Sequence, residues 1–108
     1  QRMLNALLPG TVVPIHRHVD TTETVVCLTG RLEEIIYEEE VEYSREETSR
    51  TEEVVRKVSF KEVSRHLICP AEGLYGVQIP VGAWHTIHVI EPSVIFEAKD
   101  GGYRIIKN

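Results

Sequence analysis

The chain has little of what would take it out of ordinary globular proteins. It has no apolar run approaching the roughly 18 residues that span a bilayer as a helix, and no secretory signal opens it. Membrane insertion is therefore not expected. Cysteine is limited to Cys27 and Cys69, too few for the disulfide framework of a small secreted domain. Both sit in apolar, β-like runs and read as buried, reduced thiols, which fits a cytoplasmic setting. Positive charge is also in deficit, with 12 Lys and Arg against 17 Asp and Glu and a net charge of −5. Long-range attraction to nucleic acid or anionic lipid is not expected from that balance. Helical periodicity is nearly absent. An initiator Met is missing from a chain that starts on a strand-like stretch, so we expect further residues upstream of Gln1.

At 108 residues and 42% hydrophobic, the chain is sized for one domain with a single modest core. Its acidity is concentrated. Residues 31–53 hold ten Glu and three Arg, a local charge of −7 that leaves the remainder at +2. Short β-branched runs separated by Pro and Gly signals predict strands at 2–8, 11–18, 24–29, 32–38, 54–60, 65–69, 74–79, 85–90 and 94–99. Turns are expected at Pro9-Gly10, at Gly30-Arg31 as a tight hairpin, and around Pro70 and Gly73. Further turns are expected at Pro80–Gly82, at Glu91–Ser93 and at Asp100–Gly102. The stretch 38–53 reads as a solvated excursion between two strands, as a long hairpin or a short helix. An acidic arm that binds a partner is the alternative. Many short strands with regular turns argue for an all-β sandwich or barrel.

Chemistry gathers in two places. The first is Gly10-Thr-Val-Val-Pro-Ile-His16-Arg-His18-Val-Asp-Thr-Thr-Glu23, running on to Gly30. His16 and His18 are two apart, so an extended strand projects both imidazoles from one face. The following loop lets the Glu23 carboxylate curl back toward them. The second is Pro80-Val-Gly82-Ala-Trp-His85, where a turn can aim His85 into the same cavity. Three imidazoles and a carboxylate are the ligands of one divalent transition metal, whether Fe, Mn, Co, Ni, Cu or Zn.

These stretches resemble the cupin superfamily. Gly-x5-His-x-His-x4-Glu-x6-Gly is similar to the first cupin motif at every defined position, and Pro-x-Gly-x2-His to the core of the second. Leu74 and Val89 stand where the second motif has Gly and Asn. Within cupins the chain resembles the WbuC family of cupin-fold metalloproteins, through Gln1–Gly10, Val77–His85 and Glu97-Ala-Lys-Asp-Gly-Gly-Tyr103. The resemblance implies a cupin double-stranded β-helix over residues 1–108, with a charged insertion at about 38–53. It also implies a homodimer, which exposed sheet edges would favour too. It associates the chain with surface-polysaccharide biosynthesis, hence with a carbohydrate or other small-molecule ligand.

Other candidates carry less. Glu97 and Lys99 share a strand face with Ile95. They are either an exposed ion pair or inner-wall groups able to move a proton. In a strand, the odd offset between His85 and His88 sends His88 to the opposite face. His66 stands alone and reads as a surface residue. Trp84 either lines the pocket rim or packs. Three functions stay open: a metal-dependent enzyme on a carbohydrate, by isomerisation, epimerisation or dioxygenation; a binding or sensor module; and a structural metal site.

Overall fold

Three long strands carry most of the molecule. The computed structural model describes residues 1–47, 52–100 and 106–107. Its strands are β1 (Arg2–Leu7), β2 (His16–Arg17), β3 (Glu23–Glu47), β4 (Glu52–Ile68), β5 (Gly76–Ile79), β6 (Trp84–Lys99) and β7 (Ile106–Lys107). Apart from a 3-10 turn at Pro70–Glu72, the described residues form no helix. The chain is all-β and its strands pair antiparallel in one sheet, in the order β4-β3-β6-β2-β7, with β1 added on β6 and β5 on β3.

The β3–β6 ladder pairs Glu23 with Lys99 near one end and Ile36 with His85 near the other. Thirteen residues of straight strand would separate those pairs by about 43 Å. Yet Glu23 Oε2 lies 3.8 Å from His85 Nε2. The ladder therefore folds over on itself. The register slips three times between Cys27 and Leu32, and irregularities of this kind bend strands. Gly30 sits in the bend with φ +116°, where a Cβ would lie 2.6 Å from the Pro92 carbonyl oxygen and from Ser93 Cα. Ser93 pins the corner: its hydroxyl accepts from the Arg31 N–H at 3.0 Å and donates to the Glu91 carbonyl at 2.8 Å.

Several expected turns are absorbed by this bend. Gly30-Arg31 is no hairpin, because β3 runs through it as one bent strand; Glu91–Ser93 likewise lies inside β6. The runs at 54–60 and 65–69 are one strand, and 38–53 belongs to a long hairpin made by β3 and β4. Only His16–Arg17 of 11–18 is strand. Residues 48–51 and the expected turn from Gly101 onward lie outside the described residues.

Folding the ladder double encloses a core of Val25, Cys27, Leu32, Ile68, Ile79 and Ile95, with Leu7, Ile36, Val77, Ala83 and Ile87 packed against it. Both cysteines are buried and free of disulfide. Because the bend needs a residue without a side chain, Gly30→Ala is expected to destabilise the protein by about 2–4 kcal/mol, combining backbone strain with overpacking. A urea unfolding midpoint unchanged from wild type would contradict this role for the bend.

Candidate metal centre

The four expected ligands arrive from separate parts of the chain and are held together by backbone contacts. His16 lies in β2 and pairs with His85 of β6 across the sheet. The loop before β2 is tied down by Thr86, whose hydroxyl donates to the Val13 carbonyl at 2.5 Å. The turn Pro80–Gly82 is tied to the first motif directly: the Gly82 N–H donates to the His18 carbonyl at 2.8 Å, with Gly82 at φ +77°. Glu23 opens β3, and the doubled ladder carries it back to β6. One ligand atom from each of His16, His18, Glu23 and His85 lies within 4.8 Å of the others, a cluster that could hold a metal ion. His18, Glu23 and His85 are buried and His16 is half-buried.

The imidazoles are set for coordination. His16 Nδ1 is 2.8 Å from the Pro14 carbonyl oxygen, and His85 Nδ1 is 2.8 Å from that of Ala83. A carbonyl only accepts, so both Nδ1 atoms donate, and in the neutral ring Nε2 is the nitrogen that presents a lone pair. Histidine ligands of metals are oriented in this way. His85 Nε2 is buried and makes no hydrogen bond. Burial, followed by the neighbouring His16 and His18, pushes the His85 imidazole down to about 4, against the opposing pull of Ala83. It is therefore neutral near pH 7, the form that binds metals. His18 Nε2 and Glu23 Oε2 are 2.5 Å apart.

The cluster forms one wall of a cavity of about 240 Å³. Its lining also includes Glu34, Glu97, Lys99 and Asn5, with Leu7, Val13, Ile87 and Ile95 supplying apolar surface. Glu97 and Lys99 thus lie on the inner wall, the second of the alternatives open from sequence. Asn5 Nδ2 donates to Glu97 Oε2 at 3.0 Å. Burial and the Glu23 charge hold the Glu97 carboxyl above its ordinary range; burial does the same to Glu23, partly offset by Glu97 and Lys99.

Other candidates fall outside the cavity. His88 is exposed, with Nδ1 3.0 Å from Glu33 Oε1, and His66 is exposed beside Ser64. Trp84 does not line the cavity. It packs on Phe60 at 4.9 Å between ring centroids, beneath the Arg17 guanidinium at 4.7 Å.

Glu34 is the site residue that sequence reasoning missed. Its side chain faces the cavity at 1% exposure, and Oε2 has no hydrogen-bond partner. Burial, then the charges of Glu23 and Glu97, hold its carboxyl well above 4.5. A signal existed: Glu34 sits between Leu32 and Ile35-Ile36 in an apolar stretch. The glutamate run that follows masked it.

A family model described as "Domain of unknown function (DUF6016)" matches residues 1–49. That span includes His16, His18, Glu23 and Glu34 but not His85. No curated protein and no solved structure matches the chain.

The position of Glu34 has a measurable consequence. A carboxyl whose folded pKa is raised favours the folded state at low pH, and that contribution is lost as pH rises above about 4.5. In metal-free protein, Glu34→Gln is expected to flatten the fall of thermal stability with rising pH, and Glu34→Met to raise stability by about 1–3 kcal/mol. An unchanged slope and a loss of stability in Glu34→Met would contradict its burial without a partner.

Proposed function

We propose that the chain is a metal-dependent cupin enzyme. In this reading His16, His18, Glu23 and His85 hold one divalent transition ion, and a small molecule binds in the adjoining cavity. The observation that carries the proposal is the pair of carbonyl-fixed imidazoles, His16 and His85, converging with His18 and Glu23 within 4.8 Å on a cavity wall. Membership of the cupins rests on the two motifs, supported by an antiparallel sheet folded double with both motifs facing one cavity.

Three nitrogens and one carboxylate oxygen suit Fe, Mn, Co, Ni, Cu or Zn. When bound, such an ion supplies Lewis-acid polarisation of a ligand oxygen or, if it is iron, dioxygen chemistry. The chain supplies the rest. Glu97, held by Asn5, is placed to accept or return a proton from a molecule in the cavity. Lys99 brings a cation to the same wall, and Glu34 a carboxyl with an unused oxygen. The apolar surface of Leu7, Val13, Ile87 and Ile95 limits the water that can compete. The carbohydrate class of the ligand comes from the family resemblance, and the cavity narrows it. A volume of about 240 Å³ is below the roughly 300–1,000 Å³ of pockets for drug-sized ligands. It suits a single sugar unit better than a whole nucleotide sugar.

Metal analysis of untagged protein, followed by a turnover screen of small sugars, tests the proposal. Wild type is expected to hold one ion per chain, and His16→Ala or His85→Ala to lose it. Glu97→Gln and Lys99→Met are expected to keep the ion. Glu97→Gln should lower turnover about 100-fold or more, the usual scale for a general acid or base. Full metal in His16→Ala would refute the centre. Undiminished turnover in Glu97→Gln would refute the role of that carboxyl, and saturable sugar binding without turnover would make the protein a sensor or carrier.

A further inference from the structure

The β6 strand begins at Trp84, opposite Tyr37, so beyond that point β3 and β4 continue as a two-stranded ribbon. Residues directly opposed in an antiparallel ladder share a face, and the two faces of this ribbon differ in chemistry. One pairs Glu38 with Lys61, Glu40 with Ser59, Glu42 with Lys57 and Ser44 with Val55. That face is made for water. The other pairs Glu39 with Phe60, Val41 with Val58, Tyr43 with Arg56 and Arg45 with Val54. On it Val41, Val58, Val54 and Tyr43 are 38%, 39%, 66% and 69% exposed. A lone two-stranded ribbon is only marginally stable in water, and a group of exposed apolar side chains gathered on one face marks an interaction surface.

We propose that this face is a homodimer interface, covered by the same face of a second copy. Two features select a second copy. First, the face carries both signs of charge, Glu39 against Arg45 and Arg56, so it meets itself without a uniform repulsion. Second, its order of rows is self-complementary. A two-fold axis crossing the ribbon between the Val41–Val58 and Tyr43–Arg56 rows lays each strand, reversed, over its own copy. Val41 then meets the partner's Tyr43, and Phe60 meets the partner's Val54. Glu39 meets the partner's Arg45, and Val58 meets the aliphatic stem of the partner's Arg56. The interface charges are held only loosely within one chain, Arg45 to Glu52 at 3.7 Å with both side chains exposed, and Arg56 to Glu39 at 3.6 Å with the Glu39 side chain half-buried. Exchanging such partners costs little. The four rows span about 20 Å at about 3.3 Å per residue. The ribbons run in opposite directions, so the two sheet bodies lie at opposite ends, and a chain 60 Å long has room for this.

Sedimentation of the full chain across the micromolar range tests the interface, and it does not depend on the metal proposal. Wild type is expected to sediment with the mass of two chains. Val41→Glu and Tyr43→Glu, both at exposed positions, are expected to weaken the dimer about tenfold or more, whereas Ser59→Glu on the opposite face leaves it intact. Arg45→Glu is expected to weaken the dimer, and Glu39→Arg in the same chain to restore it. A monomeric wild type would overturn the proposal. So would a dimer indifferent to Val41→Glu and Tyr43→Glu, failure of the charge exchange to restore association, or an open-ended series of larger species of the kind edge pairing gives.

Discussion

Two main-chain carbonyls, of Pro14 and Ala83, decide what the centre can be. By accepting from Nδ1 they fix the His16 and His85 tautomers, and each ring is left with Nε2 as its only lone pair. Neither ring could present that atom to Glu23 unless the β3–β6 ladder were doubled back. The corner at Gly30 and Ser93 is therefore as much part of the centre as the ligands are. Local turn, sheet curvature and ligand geometry form one chain of cause.

Charge explains the character of the cavity. Glu23, Glu34 and Glu97 crowd one small space, and burial holds all three carboxyls above their ordinary range, with the Glu23 charge adding to the shift at Glu34 and Glu97. A protein optimised for stability alone would not retain such a group of buried carboxyls. A divalent cation bound by His16, His18, Glu23 and His85 would offset that cost. Cost to stability at one place, offset by a ligand, is the usual signature of a working site.

Some of this was legible in the sequence. The His16/His18 pair, Glu23 and the Pro80–His85 turn state their chemistry in spacing alone, and His88 was correctly assigned to the outward face from strand parity. Bends were less legible than turns. Gly30 and Pro92 look like hairpin punctuation, but the register slips that convert them into a corner depend on pairing with a distant strand. Glu34 was hidden because a buried carboxyl differs from a solvated one only in its surroundings. The ribbon's apolar face was hidden for a similar reason. Val41, Tyr43, Val54 and Val58 are scattered among charges along the chain, and strand pairing alone collects them on one side.

The most direct measurement of the central claim is the X-ray absorption spectrum of the protein loaded with zinc or cobalt. The account predicts the scattering pattern of three imidazoles and one carboxylate oxygen, at about 2.0–2.2 Å. A spectrum with one imidazole or none, or with sulfur from Cys27 or Cys69 in the coordination sphere, would contradict it.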